Sequence, residues 1–253
     1  MKKNIREIWE CSPKEFVSDE EFSQFFNNAG TFVDITKMGF IDFTSRIFTS
    51  DFYKLIGDPR DKTSLEIGFG GGRLINAASR FFKKACGVDI HNNFERTKSI
   101  LEKLGCNNYE LLKSNQFDKI PDDTIDFVYS FIVFQHFTMW TDAVEYFEQI
   151  KRVLKSSGAG IIYFGLNENP DCNVEEIDEY DDEGRSLVNK PDSAGRSLLV
   201  KPEFASNEIR KYFDIFEIAT STKKPWNLDT GGQFYIKFTN KANYPHVNTW
   251  LDE

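Results

Sequence analysis

The sequence predicts an α/β protein built on a mostly parallel sheet. Three observations carry that expectation. From Thr63 onward, short apolar runs alternate with segments at helical spacing. A turn holding Gly68, Gly70, Gly71 and Gly72 follows the first of those runs directly. The last two apolar runs alternate with a period of two, as an antiparallel closing pair would.

Residues 1 to 60 read as helices. In "SPKEF", Ser12 stands at an N-cap, Pro13 at the first helical position and Glu15 where it closes a capping box. Phenylalanines crowd the segment from Phe16 to Phe48, which suits a helical layer packed on the main domain, a lid over a ligand, or both. The first strand is "SLEIG". In "RLINAASRFF", Leu74, Ala77, Ala78 and Phe81 fall on one helical face. A second strand, "ACGVDI", carries Asp89 at its end. The helix "NNFERTKSILEKLG" follows, with Gly105 as a left-handed cap. "YELLKS" is the third strand. "TIDFVYSFIVF" is the fourth, entered through the turn "IPDD". A helix carrying Ala143, Phe147, Ile150 and Leu154 leads through a "KSSG" turn to a fifth strand, "AGIIYFG". With "IRKYFDIFEIATST" and "GGQFYIKFTN" the sheet reaches seven strands, the last antiparallel.

Residues 167 to 203 interrupt this rhythm. Glu168 to Glu183 carries nine carboxylates and no cation, and a basic stretch with the near-repeat "GRSLVNKP" and "GRSLLVKP" follows. Two extended arms around a turn would form a hairpin, so the segment reads as an insertion. The expected organisation is therefore a helical cap over 1–60 and a main domain over 61–253 with an insertion at about 167–203.

Composition narrows the function classes. The chain has 253 residues, 40% hydrophobic and 28% charged, which fits a globular protein. A net charge of −9 disfavours nucleic-acid binding through a general basic surface. No apolar run approaches the roughly 18 residues of a membrane helix, and the opening "MKKNIREIWECSPKEF" lacks the apolar core of a signal peptide. Cys11, Cys86, Cys106 and Cys172 are widely spaced, pointing to reduced thiols in a cytoplasmic protein rather than a zinc site.

The glycine turn carries the functional information. A dinucleotide fingerprint needs GxGxxG, but here the spacing is Gly68-x-Gly70-x-Gly72, and Arg73 stands where the third glycine should fall. Asp89, at the end of the second strand, is placed to accept ribose hydroxyl protons, which either a dinucleotide or an adenosyl ligand would offer. Glu66 separates the two. A carboxylate two residues before Gly68, in a buried strand end, repels a pyrophosphate and suits an α-amino group or a sulfonium. Arg73 beside it suits a ligand carboxylate. Together they fit a zwitterion attached to a nucleoside, as in S-adenosylmethionine (SAM). The alternative is that Glu66 caps local amides and Arg73 is solvated.

"LEIGFGGGRL" followed by "GVDI" resembles motif I and the acidic second-strand end of class I SAM-dependent methyltransferases. "IPDDTIDFVYSFIVFQHF" is similar to that family's fourth-strand segment, and "IKRVLKSSGAGIIYFG" to its turn into strand five. The resemblance implies a Rossmann-like fold with helices on both faces, and SAM as cofactor with S-adenosylhomocysteine (SAH) as product. Glu66, Gly68, Gly70, Gly72, Arg73, Asp89, Ile90 and Ser130 would then surround SAM. Asn115 and Gln116 occupy the adenine position, where the family often has an acid. His136, just past the fourth strand, is the candidate base or substrate-orienting group, or else a helix-start histidine satisfied by backbone. Tyr163, Arg185 and Arg196 are candidate acceptor contacts, though the two arginines also balance the acidic run.

The fourth-strand end lacks the carboxylates of metal-assisted relatives, so no metal is expected. The reading is methyl transfer to a small-molecule or sugar-like acceptor. A methyltransferase-like protein that binds SAM or a partner without turnover is the alternative. An NAD(P)-dependent oxidoreductase is the more distant one: "YELLK" has the YxxxK spacing of short-chain reductases but lies in a strand, where residues four apart stand about 13 Å apart.

Overall fold

The computed structural model describes residues 9–10, 18–27, 29–176, 197–221 and 232–240. The "SPKEF" capping box, Arg185 and Arg196 lie outside the described residues. The chain divides into two compact units. One is formed by the described residues of 9–129 with 153–159, the other by 130–152 with the described residues from 160 onward.

Of the helices whose bounds are described, the first unit has α1 (Asp19–Asn27), α2 (Phe32–Asp42) and α3 (Ser50–Ile56) ahead of its strands, with a π-helical turn at Phe43–Ile47. Thr31 caps α2 by accepting the Asp34 N–H at 3.1 Å. Then come β1 (Thr63–Ile67), α4 (Arg73–Ala78), β2 (Lys84–Asp89), α5 (Phe94–Lys103), β3 (Tyr109–Lys113) and β4 (Ile125–Ser130). The strands lie in the order β3-β2-β1-β4, with β1 parallel to both of its neighbours and β2 parallel to β3. Strands buried on both faces read as continuous apolar runs, which is why "SLEI" and "IDFVYS" show no alternation.

The phenylalanines of the N-terminal helices explain their own abundance. Phe48 and Phe52 meet Phe127 of β4 at 5.2 and 4.8 Å between ring centroids, and Phe43 meets Tyr129 at 5.5 Å. Phe43, Phe52, Phe127 and Tyr129 are fully buried. Each such burial contributes roughly 1.5 to 3 kcal/mol, so this layer is part of the core of its unit.

The second unit holds α6 (Trp140–Val153, its last residue in the first unit) and the continuation of β5 (Leu154–Leu166). It adds β6 (Val174–Glu176), β7 (Leu198–Val200), α7 (Pro202–Ile209), β8 (Asp214–Thr220) and β9 (Gln233–Thr239). β7 runs parallel to β5 and antiparallel to β6, while β9 pairs with β5 and, antiparallel, with β8. Phe134, Phe147, Phe164 and Phe234 form its buried aromatic core.

Four expectations need correcting. The described residues contain nine strands rather than seven, because β6 and β7 come from the stretch expected to be an insertion. The second repeat arm, Leu198–Val200, pairs with Val174–Glu176; the first arm lies outside the described residues. α4 stops at Ala78, short of Phe82, since Asn108 Nδ2 binds the carbonyls of Ser79 and Phe82 and draws the chain off the helical path. "KSSG" belongs to β5 instead of a turn. Lys155 reaches Asp126 of β4 at 2.9 Å and the Ser156 N–H reaches Asp123 at 3.1 Å, so pairing starts as soon as α6 ends. Finally, β4 ends at Ser130, and "FIVF" turns away through Ile132 at φ 63°. A β-branched residue in the left-handed region costs about 1 to 3 kcal/mol and is a feature of functional strand ends.

Candidate cofactor site

The glycine turn lies in the first unit, between β1 and α4. Gly70 has φ 47°, and both of its backbone groups are held by side chains from the β2–α5 connection. Its N–H donates to Asp89 Oδ2 at 2.7 Å. Its carbonyl accepts from Thr97 Oγ1 at 2.9 Å and lies 3.1 Å from His91 Nε2. Asp89 Oδ1 in turn accepts the Ile90 N–H at 2.6 Å and the His91 N–H at 3.2 Å. Three backbone amides therefore fix the carboxylate expected to meet the ribose, and the Ile90 backbone is one of them.

Gly71 is explained by packing. A Cβ built there would stand 2.3 Å from Asn27 Nδ2, which donates to the Gly71 carbonyl at 3.3 Å, while Asn27 Oδ1 accepts the Arg73 N–H at 3.3 Å. The amide of α1 thus bridges the turn to the start of α4. Gly71→Ala is expected to cost roughly 1 to 3 kcal/mol, as an overpacked site does. Asn27→Ala in the same chain should relieve part of that loss, which a melting series of the two single variants and the double variant measures.

Glu66, on β1, is 2% exposed, and Tyr129 on β4 donates to its Oε2 at 3.3 Å. Burial pushes its carboxyl well above the ordinary carboxylate range. The Arg73 cation opposes that shift, and the Asp89 anion adds to it. A cation placed beside it would favour its charged form. Arg73 is shared: its guanidinium pairs with Asp42 of α2, which also lies 3.6 Å from Arg46. Arg73 and Asp42 side chains are 12% and 5% exposed, so this is an internal ion cluster.

Asn115 and Gln116 sit in the 3-10 turn after β3, the first exposed and the second half-buried. Lys113 binds the Ile90 and His91 carbonyls at 3.3 and 2.6 Å and so ties β3 to the chain beyond Asp89. Tyr109 lies at the opposite end of β3, in keeping with a chance YxxxK.

In the second unit, Ser130 is fully buried at the end of β4 and Tyr163 is 2% exposed, its ring edge-on to Phe131 at 4.9 Å. His136 closes a 3-10 turn, Phe134–His136. Gln233 Nε2 donates to Gln135 Oε1 at 2.7 Å, so the Gln135 amide nitrogen is left facing His136 Nε2 at 3.2 Å. An amide nitrogen only donates. His136 Nε2 therefore accepts, and the ring proton sits on Nδ1.

Sequence reasoning missed Asn27, Asp42, His91, Thr97 and Tyr129. His91 and Thr97 had a signal, as polar residues just beyond Asp89. Asn27 and Asp42 had none, lying 44 and 31 residues from the groups they hold. Among the described residues, no group of three or more His, Cys, Asp or Glu is arranged for a metal, and no helix is long and apolar enough to cross a membrane.

Residues 65–162 match the profile of a methyltransferase-domain family. No curated protein sequence matches the chain. Among solved structures, a SAM-dependent methyltransferase from Aquifex aeolicus superposes with a TM-score of 0.54 at 17% identity, covering 82% of this chain and 97% of that one. A SAM-dependent methyltransferase from Mesorhizobium loti gives 0.52 at 16%, covering 74% and 95%. DhpI, solved as a complex with SAH, gives 0.52 at 14%, covering 89% and 98%. At these identities the likeness is one of fold.

Proposed function

We infer that this chain, whose residues 65–162 match a methyltransferase-domain profile, is a class I SAM-dependent methyltransferase that transfers the methyl group of SAM to a small-molecule or sugar-like acceptor. The observation that carries this reading is the pair of carboxylates beside the glycine turn: Glu66, buried with the Tyr129 hydroxyl donating to it, and Asp89, fixed by three amides. A pyrophosphate would meet repulsion from Glu66. An α-ammonium group would favour the charged form of Glu66, and a ribose diol would donate to Asp89. The residues present thus fit a zwitterionic adenosyl ligand.

When bound, SAM supplies a methyl group on a sulfonium, already activated for in-line displacement. The chain's task is then to align the acceptor and exclude water. With its proton on Nδ1 and Nε2 accepting from Gln135, His136 fits the orienting role better than that of a base. Taking up a proton at Nε2 would first require breaking the Gln135 bond. The described cysteines, Cys86, Cys106 and Cys172, are free, and burial pushes the Cys86 thiol up to about 11. That supports an ordinary packing role for Cys86.

Asp89→Ala should lower SAH affinity by roughly 10- to 100-fold, the scale of hydrogen bonds to a charged group, as read by calorimetry. Unchanged affinity would remove the ribose assignment. His136→Ala separates an enzyme from a silent binder. Retained SAH affinity with lost transfer supports turnover at this residue, whereas unaltered transfer removes His136 from the reaction.

A further inference from the structure

We propose that His91 is a positioning residue of the SAM site: its imidazole, accepting at Nδ1 and donating at Nε2, clamps the Gly70 carbonyl and so keeps the Gly70 N–H on Asp89. The proposal rests on the reading of the glycine turn and Asp89 as the place where SAM binds.

The hydrogen bonds fix the tautomer. The Asn93 N–H points at His91 Nδ1 at 3.0 Å, and a backbone amide can only donate, so Nδ1 carries no proton. Nε2 therefore carries it and donates to the Gly70 carbonyl at 3.1 Å. Thr97 Oγ1 donates to the same oxygen at 2.9 Å. On the other side of Gly70, its N–H is held by Asp89 at 2.7 Å. A glycine has no side chain to restrict its dihedrals. Here φ 47° is instead set by three side chains, and His91 contributes one of the two bonds on the carbonyl.

The surroundings hold the ring in place and keep it neutral. His91 is 1% exposed and sits among the rings of Phe26, Phe69 and Phe94 at 4.8, 5.2 and 5.1 Å, with Phe22 at 6.4 Å. The charged groups facing it are few. Asp89 Oδ2 lies 3.9 Å from Nε2 on the β2 side, and Lys113 approaches from β3 through the His91 carbonyl. α5 offers Thr97 and Phe94, with Arg96 set beyond the Phe22 ring, and α1 offers Phe22 and Phe26. Burial pushes the His91 titration below its ordinary value. Asp89 and the Gly70 carbonyl oppose that shift, and Lys113 adds to it.

A proton taken up at Nδ1 destroys the acceptor for Asn93 and places a cation among four rings. The ring is thus fully anchored above the depressed titration of His91; as pH falls through it Nε2–H still donates to Gly70, and any loosening of the clamp comes from the lost Asn93 anchor. Because the unfolded chain binds this proton at a higher pH than the folded one, stability falls as pH drops from the ordinary histidine value to the depressed one.

The test uses the full chain without and with SAH. In the wild type, ring nitrogen NMR at pH 8 should show Nε2 protonated and Nδ1 bare, and Gly70 amide exchange should quicken as His91 titrates. His91→Phe keeps an aromatic ring but removes both nitrogens. It should speed Gly70 amide exchange and weaken SAH binding, each by roughly 10-fold. His91→Gln returns a donor near the place of Nε2. It should recover both properties to within about 3-fold of wild type and lose the His91-linked pH dependence. A purely packing role predicts the reverse order, with Phe tolerated better than Gln. A protonated Nδ1 in the wild type, or unchanged Gly70 exchange and affinity in His91→Phe, would overturn the proposal. If His91→Phe does not fold, the wild-type tautomer and the pH course of Gly70 exchange still decide it. Absence of SAH binding by the wild type would instead defeat the SAM reading and leave the clamp to be judged on Gly70 exchange alone.

Discussion

Glu66→Gln is expected to make the ligand-free protein more stable and its SAM site worse. Glu66 is enclosed, with the Tyr129 hydroxyl as a hydrogen-bond donor and with Arg73 shared with Asp42. Its folded titration is raised, so between its ordinary value and that raised value the folded chain binds more protons than the unfolded one. Stability therefore falls as pH rises through that window, and each unit of elevation costs about 1.4 kcal/mol. Glutamine keeps the shape and removes the titration. The melting temperature should rise by about 2 to 4 °C per kcal/mol recovered, and the slope of stability against pH should flatten. SAM affinity should fall roughly 10- to 100-fold, because the charge that meets the α-amino group is gone. A gain in stability with unaltered affinity would mean that Glu66 does not face the ligand. This opposition between stability and binding is typical of a site kept strained for function.

Asp42→Ala should have the largest effect on folding. Asp42 is 4% exposed and accepts from Arg73 while lying close to Arg46, so its loss leaves two partly buried cations with one fewer anion. Removing one partner of a buried pair costs roughly 3 to 5 kcal/mol. A chemical-denaturation series should show that loss. Asp42→Asn, which keeps an acceptor for Arg73, should recover part of it. The loss should also reach the site, since the Arg73 cation is the main charge opposing the raised titration of Glu66. An Asp42→Ala variant with wild-type stability would show that the cluster does not hold α2 to the start of α4.

The parts legible in the sequence are those whose cause is local. Gly68, Gly70 and Gly72 all take positive φ, as a strand–turn–helix crossing requires, and Gly105 does so where it ends α5. β1 to β3 and the β8–β9 pair follow their apolar runs closely. The failures share a different cause. The reason for Gly71, the Asn27 amide, is on α1, far back in the chain. The Asp42 partner of Arg73 is likewise not announced by anything adjacent to Arg73 in the sequence. The fourth strand looked longer than it is because Phe131 to Phe134 is apolar enough for a strand, and only the left-handed Ile132 ends it. Residues 174–176 and 198–200 gave only three-residue strands, too short to show a period.

The most direct test of the account is calorimetric titration of the full chain with SAH, SAM and NAD under identical conditions. The carboxylate pair at the glycine turn predicts binding of SAH and SAM, competition between them for one site, and no saturable binding of NAD. Tight binding of NAD with none of SAM or SAH would contradict the central claim, because it would mean that a pyrophosphate is accepted beside Glu66.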